Sequence, residues 1–407
     1  MKVMQINCVY RSGSTGKIVF DIHTALKEKG IESLVCYGRG NDFCEDKVFR
    51  TSGELEGKLN NLISRINGVS YGGCFFATNR LIDRIKKEKP DVVHLHCING
   101  FFVNIYRLVR YLKKHRIPTI ITHHAEFFYT ANCSYAFDCE KWMTGCGNCP
   151  SVKKAVHSYF FDFTKANFGR MKKAFAGFEN MISAAVSPWV QKRAEMSPIF
   201  ADKKNVSVLN GIDCSVFAPC GDREKLKAEL GILPDKKAIV HVTADFDDPR
   251  KGGRYVREFA EKMGNEAVVV VVGNRRPPEN LPNNIIAVGR VENQRKLAEY
   301  YSMADLCLIA SSRETFSMPV AESLCCGTPV VGFEAGGPES IAISEFSEFV
   351  EYGNVEKLCE AAHKILVCDI DRKKAAEAAA GKYGKQTMVN EYIGLYNEVL
   401  GINATQN

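Results

Sequence analysis

The sequence predicts an α/β fold with two Rossmann-like domains, each a parallel sheet wrapped by helices. The chain has 407 residues, 45% of them hydrophobic, which is more than one hydrophobic core usually holds and favours two domains. Short β-branched runs alternate with longer helical patterns, as in parallel sheets. The alternation restarts part-way along the chain, which indicates a second sheet.

The first series of strands is predicted at the amino terminus and at residues 33–37, 91–95, 119–122 and 181–186. A second series begins near Val206 and continues at residues 238–242, 267–272, 285–288, 306–309 and 329–331. We therefore expect one domain at residues 1–186 and a second at residues 187–385. An Ala-rich helix at residues 375–380 precedes a last helix, at about residues 386–403, which is predicted to pack back onto the first domain.

Several classes of protein are excluded by composition. The longest apolar stretch, residues 267–272, is far shorter than the ~20 residues of a membrane-spanning helix. The amino terminus alternates like a strand and lacks the apolar segment of a secretory signal. We therefore expect a cytoplasmic protein in which most of the sixteen cysteines are buried thiols or local ligands rather than disulfides.

Positive charge is concentrated in the first half of the chain. Residues 1–183 carry 27 Lys and Arg against 16 Asp and Glu, which leaves 27 against 31, so the two parts have net charges of +11 and −4. Basic residues gather at 80–89 and 107–116 on helical patterns. They indicate either a solvated helix face or a surface for an anionic membrane or a phosphate-linked acceptor. No basic motif with interleaved aromatic residues is present, so no nucleic-acid partner is expected.

The strongest motif is SSRETFSMPVAESLCCGTPVV, residues 311–331. Ser317 suits a helix N-cap, Pro319 the first turn and Gly327 the end, which predicts a helix over residues 318–326. Glu314 then lies in the preceding loop and Glu322 one turn inside the helix.

Helix N-termini bind anions because their first N–H groups lack partners within the helix. The N–H groups near Phe316, Ser317 and Met318 are therefore candidates to bind a diphosphate. Glu314 and Glu322, on either side, can accept hydrogen bonds from sugar hydroxyls. The alternative is a pair of exposed glutamates at a helix end.

Two further segments follow predicted strands. Arg250 and Lys251 can neutralise phosphate charge, although a solvated basic pair in a loop is the alternative. In residues 288–291, VGRV, backbone groups at the end of a strand can hydrogen-bond the edge of a base.

These motifs occur together in an order that resembles one family. The motifs are Leu209-Asn210-Gly211-Ile212-Asp213 with Phe217 and Pro219, Arg250-Lys251-Gly252, Val288-Gly289-Arg290-Val291, Ala304-Asp305, and Glu314 with Glu322. The chain resembles the retaining GT-B glycosyltransferases of family 4, also called group 1. The resemblance implies two Rossmann-like domains facing across a cleft, an acceptor-side domain at residues 1–186 and a nucleotide-sugar-binding domain at residues 187–385. It also implies a metal-independent hexosyltransferase that needs no cofactor for catalysis.

The resemblance also implies roles for single residues. Glu314 would contact hydroxyls of the donor sugar and Glu322 the ribose diol. Arg250 and Lys251 would bind the diphosphate, and Val291 would bind the base through its backbone.

The chain departs from the family at two positions. Asp245 stands six residues before Lys251, where the family commonly has a second phosphate-binding arginine. At the end of a strand the family often has His-Asp, which His123 matches and His124 does not. By resemblance His123 lies beside the donor sugar, and a core histidine is the alternative.

In the first domain, residues 7–18 read NCVYRSGSTGKI, a strand, a Gly/Ser loop and a helix. The spacing of Gly13 and Gly16, and Ile18 after Lys17, exclude a nucleoside-triphosphate P-loop. The resemblance places this loop near the donor diphosphate or the acceptor, and a plain tight turn is the alternative.

A C-x5-C-x6-C-x2-C pattern is formed by Cys133, Cys139, Cys146 and Cys149. Four thiolates can hold a structural zinc ion, and reduced buried thiols are the alternative. A catalytic metal is not expected there, because four thiolates leave no open coordination position.

Together these features predict a retaining glycosyltransferase. It would move a sugar from a nucleoside-diphosphate-sugar donor to the hydroxyl of a glycan or lipid-linked glycan, in the synthesis of bacterial capsule, exopolysaccharide or lipopolysaccharide. With its basic first domain, we expect the chain to lie peripherally on the inner face of the cytoplasmic membrane. A GT-B epimerase and a non-catalytic sugar-nucleotide-binding protein are the alternatives. A Rossmann dehydrogenase is disfavoured, because no G-x-G-x-x-G with a following acidic residue is present.

Overall fold

The computed structural model describes residues 1–276 and 278–402. Contacts within the chain divide it into two compact units. The first unit comprises Met1–Leu209 and the carboxyl-terminal segment that begins at Met388, and the second comprises Asn210–Thr387. Among the described residues, no helix combines the length and the apolar character that crossing a membrane requires.

The first unit is a seven-stranded parallel sheet covered by helices. Its strands are β1 (Lys2–Asn7), β2 (Glu32–Tyr37), β3 (Val48–Arg50), β4 (Val92–Leu95), β5 (Thr119–His123), β6 (Met181–Ala185) and β7 (Lys204–Ser207), in the order β3-β2-β1-β4-β5-β6-β7. Its helices up to the unit boundary are α1 (Gly13–Glu28), α2 (Glu54–Asn67), α3 (Phe75–Glu88), α4 (Ile105–Lys114), α5 (Phe127–Thr130), α6 (Thr164–Phe175) and α7 (Pro188–Met196).

The second unit is a six-stranded parallel sheet with helices. Its strands are β8 (Lys237–Val242), β9 (Ala267–Asn274), β10 (Ile285–Gly289), β11 (Leu306–Ile309), β12 (Val330–Phe333) and β13 (Ser347–Val350), in the order β10-β9-β8-β11-β12-β13. Its helices are α8 (Arg223–Glu229), α9 (Gly253–Met263), α10 (Gln294–Met303), α11 (Met318–Cys325), α12 (Gly337–Ile341), α13 (Val355–Val367) and α14 (Arg372–Tyr383).

The strands are apolar because both faces of a parallel sheet are covered by helices. In the second unit the buried core joins Val269 and Val271 of β9 and Leu308 of β11 to Phe259 of α9 and Leu358 of α13. Both sheets change winding direction beside their first strand, between β1 and β4 and between β8 and β11. Such a switch point opens a crevice at the carboxyl ends of the strands, where α/β proteins bind ligands.

The last helix, α15 (Lys385–Val399), begins in the second unit and ends in the first. Its residues Met388, Val389, Tyr392 and Tyr396 are buried in the core of the first unit. This confirms the predicted helix that returns to the first domain. The predicted end, residue 403, lies outside the described residues.

The predicted domain boundary differs from the observed one. The strand near Val206, β7, does not belong to the second series as the sequence predicts. It pairs with β6 in the first sheet, with Val206 opposite Ala184. The backbone N–H of Val208 donates to the carbonyl of Ala185 at 2.8 Å and extends this pairing. Because β7 completes the first sheet, the first unit continues to Leu209 rather than ending at residue 186.

Candidate functional site

The candidate site lies in the second unit, where β8 and β11 end side by side at the switch point. The loop after β8 contains Arg250 and Lys251, and the loop after β11 contains Glu314. The topology therefore brings together the basic pair and the glutamate that the sequence predicted as parts of one site.

Close backbone packing joins these two loops. Gly252 has a φ of 74°, and a Cβ atom there would lie 2.0 Å from the carbonyl oxygen of Ala310. The N–H of Ser312 donates to the carbonyl of Arg250 at 2.8 Å. Only glycine fits at position 252, because a side chain would push the two loops apart.

Lys251 and Glu314 form an ion pair, with 2.6 Å between Nζ and Oε1. Their side chains are 36% and 19% exposed, so the pair is open to solvent. The backbone of Glu314 is fixed on both sides: its N–H donates to the carbonyl of Ala335 at 3.0 Å, and its carbonyl accepts from the N–H of Gly337 at 2.9 Å. A rigid carboxylate thus faces a cation that an anionic ligand can reach.

Arg250 lies in a single 3₁₀ turn, Pro249–Lys251, and its guanidinium is held by Asp248. The distance from Nη2 to Oδ2 is 2.6 Å, and that from Nε to Oδ1 is 3.1 Å. This guanidinium lowers the pKa of the Asp248 carboxyl. Arg250 is 54% exposed, so its charge also faces solvent beside Lys251. Asp245, at the position where the family commonly has a second arginine, is exposed in the same loop.

The start of α11 lies at the end of the β11 loop. Ser317 stands at the N-cap position with φ 85° and ψ 88°, and its side chain caps no N–H group. The prediction of a serine side-chain cap is therefore wrong, because the left-handed backbone turns the hydroxyl away. Within residues 1–276 and 278–402, the N–H groups of Phe316 and Ser317 donate no hydrogen bond. Two donors of this turn are available to an anion.

Glu322 lies one turn inside α11 and is 8% exposed. Its Oε2 accepts a hydrogen bond from the buried Tyr301 hydroxyl at 3.0 Å. Burial, and then the charge of Glu322, raise the pKa of Tyr301 well above its usual value. Tyr301 therefore remains a hydrogen-bond donor that fixes the glutamate, a role that its position in a helical pattern did not indicate.

His241, on β8, was not predicted as part of the site. Its Nδ1 lies 2.9 Å from the carbonyl oxygen of Leu308, and the side chain is 3% exposed. Burial, together with the nearby Lys251 ammonium, lowers the pKa of His241 to about 4, although the hydrogen bond to Leu308 acts in the opposite direction. The ring is neutral and lies close enough to sense the charge of Lys251.

Val291 follows β10, the edge strand, and is half-buried. The neighbouring Arg290 pairs with Glu292 at 3.4 Å on the surface. Parallel strands end at one edge of a sheet, so Val291 lies on the same edge of the second sheet as Lys251.

In the first unit, Gly13 begins α1 with a φ of 63°. Gly16 is closely packed: a Cβ atom there would lie 3.2 Å from Cγ2 of Val9, and its carbonyl accepts from the N–H of Arg11 at 3.1 Å. The loop forms a tight turn between β1 and α1. Its predicted contact with the donor or acceptor stays a prediction.

His123 lies in the core of the first unit. Its ring is wholly buried, Nε2 lies 2.8 Å from the Ser183 hydroxyl, and the rings of Phe128, Tyr129 and Phe200 surround it. Side chains alternate across a strand, so Thr122 faces the opposite way. The predicted contact of His123 with the donor sugar stays a prediction, since the ring has no exposed surface in this structure.

A second group of histidines lies around Thr122. His94 hydrogen-bonds the hydroxyls of Thr122 at 2.7 Å and Tyr396 at 2.8 Å. His96 lies 3.1 Å from His124. Burial lowers the pKa of both His123 and His124 to about 3, and those of His94 and His96 well below their usual value. His94 therefore joins α15 to the sheet, and His96 links His124 to Gln5 of β1, both as neutral hydrogen-bonding groups.

The four cysteines of the predicted zinc site are free thiols. Burial raises the pKa of Cys133 to about 12 and that of Cys146 to about 11, and neighbouring thiols add to both rises. Burial also raises the pKa of Cys149. Among the described residues, no three His, Cys, Asp or Glu side chains converge closely enough to hold a metal ion. Zinc binding and reduced thiols therefore both stay predictions for these four cysteines.

Two family models match this chain. The model described as Glycosyl transferases group 1 matches residues 222–382, which contain the site at β8 and β11. The model described as Glycosyltransferase Family 4 matches residues 15–216. The chain belongs to the group 1 glycosyltransferases. The predicted family is thereby confirmed.

This glycosyltransferase is similar to WcaC of Escherichia coli K12, named as a colanic acid biosynthesis glycosyl transferase, with 21% identity over 98% of this chain and 100% of that protein. Of other curated relatives, including D-inositol 3-phosphate glycosyltransferases, it spans about half the length or less.

Among solved structures, sucrose-phosphate synthase from Thermosynechococcus elongatus has a TM-score of 0.71 and 17% identity, with 99% of this chain and 100% of that one covered. Anabaena HepE in complex with UDP-glucose has a TM-score of 0.65 and 15% identity, over 97% and 99%. These likenesses confirm the predicted GT-B fold of two Rossmann-like domains.

Proposed function

We propose that this glycosyltransferase moves a hexosyl group from a nucleoside-diphosphate-sugar donor to an acceptor hydroxyl with retention at the anomeric carbon. The observation that carries the proposal is the 2.6 Å pair of Lys251 and Glu314 at the switch point, beside the uncapped start of α11. One group suits a phosphate and the other a sugar hydroxyl, at the position where α/β proteins bind ligands.

The diphosphate is bound by positive charge already in place. Lys251 and Arg250 neutralise its oxygens, and the N–H groups of Phe316, Ser317 and Met318 donate hydrogen bonds to them. Charge accumulates on the diphosphate as it leaves, so these donors stabilise the transition state more than the bound donor. Since these side chains and the helix supply the positive charge, the proposed reaction needs no metal ion.

The donor sugar and nucleoside are held by the remaining groups. Glu314 accepts hydrogen bonds from hydroxyls of the sugar once Lys251 turns to the phosphate. Glu322, fixed by Tyr301, accepts from the ribose diol, and the backbone at Val291 binds the base. The contact of His123 with the donor sugar at the reacting face stays a prediction.

In this proposal the anomeric configuration is retained because the substitution occurs on the same face of the anomeric carbon. The bond between the anomeric carbon and the diphosphate oxygen breaks as the acceptor oxygen bonds to the same face of that carbon. The acceptor proton passes to the leaving diphosphate oxygen, so the protein mainly positions the reactants and stabilises charge.

Two similar proteins support the proposed donor and acceptor classes. HepE was solved with UDP-glucose, and WcaC is named for colanic acid, a polysaccharide. We therefore propose a sugar nucleotide as donor, a glycan or lipid-linked glycan as acceptor, and bacterial surface polysaccharide as the pathway product, with the reaction in the cytoplasm.

The proposal is tested by incubating the purified protein with UDP-, GDP- and ADP-sugars and a lipid-linked glycan extract, in EDTA. We expect release of nucleoside diphosphate that depends on the extract, and a product whose anomeric configuration by NMR equals that of the donor. Donor binding without release would favour a non-catalytic binding protein. Release of free sugar without acceptor would favour an epimerase, and an inverted product would contradict retention.

A further inference from the structure

Helix α2 presents its apolar face to solvent. Its leucines and isoleucines fall at positions 55, 59, 62, 63 and 66, a spacing that places them on one side of a helix. These side chains are 44–84% exposed, whereas the buried residues of α2 are Gly57 and Ser64. A surface helix of a globular protein normally buries such a face, so this face is available to another apolar phase.

Two neighbouring segments extend this apolar face. Phe75 and Phe76 are 57% and 73% exposed at the start of α3, and the N–H of Phe76 donates to Glu56 of α2 at 3.0 Å. After α2, the N–H of Tyr159 donates to the carbonyl of Arg65 at 2.7 Å, which brings the exposed aromatic residues of 159–163 alongside. We call the exposed apolar side chains of residues 55–66, 75–76 and 159–163 the apolar surface.

The charges around the apolar surface are positive. Residues 151–176 contain six Lys and Arg and one acidic residue, Asp162, whose carboxylate accepts from the N–H groups of Cys149 and Thr164. Lys153 and Lys154 are exposed within this segment. On α2, Glu54 forms an ion pair with Arg50 and Glu56 forms one with Arg80, each at 3.2 Å.

A cavity of about 320 Å³ adjoins the apolar surface at Phe75. Among the described residues, its lining includes three basic side chains, Arg110, Arg170 and Lys173, and no acidic one. A phosphate headgroup carries the complementary charge, and its acyl chains would lie on the apolar side chains next to the cavity. Apolar side chains combined with positive charge are the composition by which peripheral helices bind anionic bilayers.

We propose that the apolar surface is a docking site for an anionic lipid bilayer, with lipid phosphates at Arg110, Arg170 and Lys173. A second copy of this chain fits less well, because a two-fold contact would bring the same positive charges together. The inference does not depend on the site at Lys251, and it gives the chain access to a lipid-linked acceptor.

The test is flotation of the full chain with phosphatidylcholine vesicles, with and without phosphatidylglycerol. We expect the protein to float with the anionic vesicles and far less with the neutral ones, and salt to weaken the binding. The double variant Leu59→Gln/Leu62→Gln should bind anionic vesicles with an affinity at least about tenfold lower, since each substitution removes an apolar contact with the bilayer. These side chains are 57% and 58% exposed, so the fold should be unaffected, which thermal unfolding checks.

The matched control is Leu233→Gln/Val367→Gln, which changes side chains that are 59% and 83% exposed in the second unit and should bind as the unchanged protein does. Arg170→Gln/Lys173→Gln should remove the preference for anionic vesicles. The proposal is overturned if the chain stays unbound, if it binds neutral vesicles equally, or if the leucine variant binds normally. A dimer in light scattering that the leucine variant dissociates, without flotation, would assign this face to self-association.

Discussion

At the scale of single residues, Lys251 and Glu314 neutralise each other in the structure, and a diphosphate would compete with Glu314 for the same ammonium group. Because Lys251 is 36% exposed, the pair contributes less than about 1 kcal/mol to folding. The pair therefore matters more for binding than for stability. For buried residues of the first unit such as His123, the contribution to stability is expected to be the larger one.

The variant His123→Phe tests whether this histidine belongs to the core or to the reacting face. It keeps a ring among Phe128, Tyr129 and Phe200 but leaves the Ser183 hydroxyl without its partner at 2.8 Å. If His123 is a core residue only, this variant loses about 1–3 kcal/mol of stability and turns over normally for each folded molecule. Urea unfolding and single-turnover kinetics measure the two effects. A large fall in turnover with unchanged stability would contradict the core assignment and support the predicted contact with the donor.

At the scale of elements, the glycine at position 252 holds the β8 and β11 loops together. Replacing Gly252 with alanine places a Cβ atom 2.0 Å from the Ala310 carbonyl oxygen, at a φ of 74°. We expect Gly252→Ala to cost about 1–3 kcal/mol and to weaken donor binding, because Lys251 is the preceding residue.

The control for this prediction is Gly381→Ala in α14, where no described residue lies within 4 Å of an added Cβ. Alanine favours helices, so this change should stabilise the protein by about 0.5–1 kcal/mol and leave binding unchanged. Thermal unfolding and donor titration separate the two variants. Equal behaviour of the two would show that the contact between the loops does not organise the site.

Much of this element-level arrangement could be predicted from the sequence. The helix predicted at residues 318–326 is observed at Met318–Cys325, because a proline near its start and a glycine after it are local signals. The conformation of Ser317 could not be predicted, because Gly337, which is distant in sequence, packs against the backbone of Thr315 and Phe316. No local signal indicates such a contact. Likewise, β7 belongs to the first sheet because it pairs with β6, and no local sequence pattern indicates this pairing.

The importance of Tyr301 and His241 was not predictable for the same reason. Each looks like an ordinary residue of a helix or strand, and only the fold brings Tyr301 to Glu322 and His241 near Lys251. By contrast, the resemblance named Glu314, Arg250 and Lys251, because these lie in motifs of fixed spacing after strands.

At the scale of the whole molecule, six buried histidines make folding depend on pH. Burial lowers the pKa values of His23 and His241 to about 4 and of His123 and His124 to about 3, and those of His94 and His96 fall well below 6.5. Between these values and pH 6.5 the unfolded chain binds more protons than the folded one, so stability falls as pH falls.

We expect the free energy of unfolding to be highest near neutral pH and to decrease from about pH 6.5 towards pH 4. Each histidine that stays neutral contributes about 1.4 kcal/mol of this loss at pH 5.5. Urea midpoints measured between pH 7.5 and 5 check the slope, and His123→Phe should reduce it. Midpoints that do not change over this range would contradict the neutral burial of these rings.

The central claim is that the second unit binds the donor diphosphate through Lys251. The most direct test is calorimetric titration of UDP-, GDP- and ADP-sugars into the unchanged protein, Lys251→Ala and Lys262→Ala. Lys262 is a matched control, since it is 39% exposed and forms an ion pair of 2.7 Å with Glu356. We predict that one donor binds, that Lys251→Ala weakens it about tenfold or more, and that Lys262→Ala leaves it unchanged. Equal affinities for all three proteins would contradict the claim.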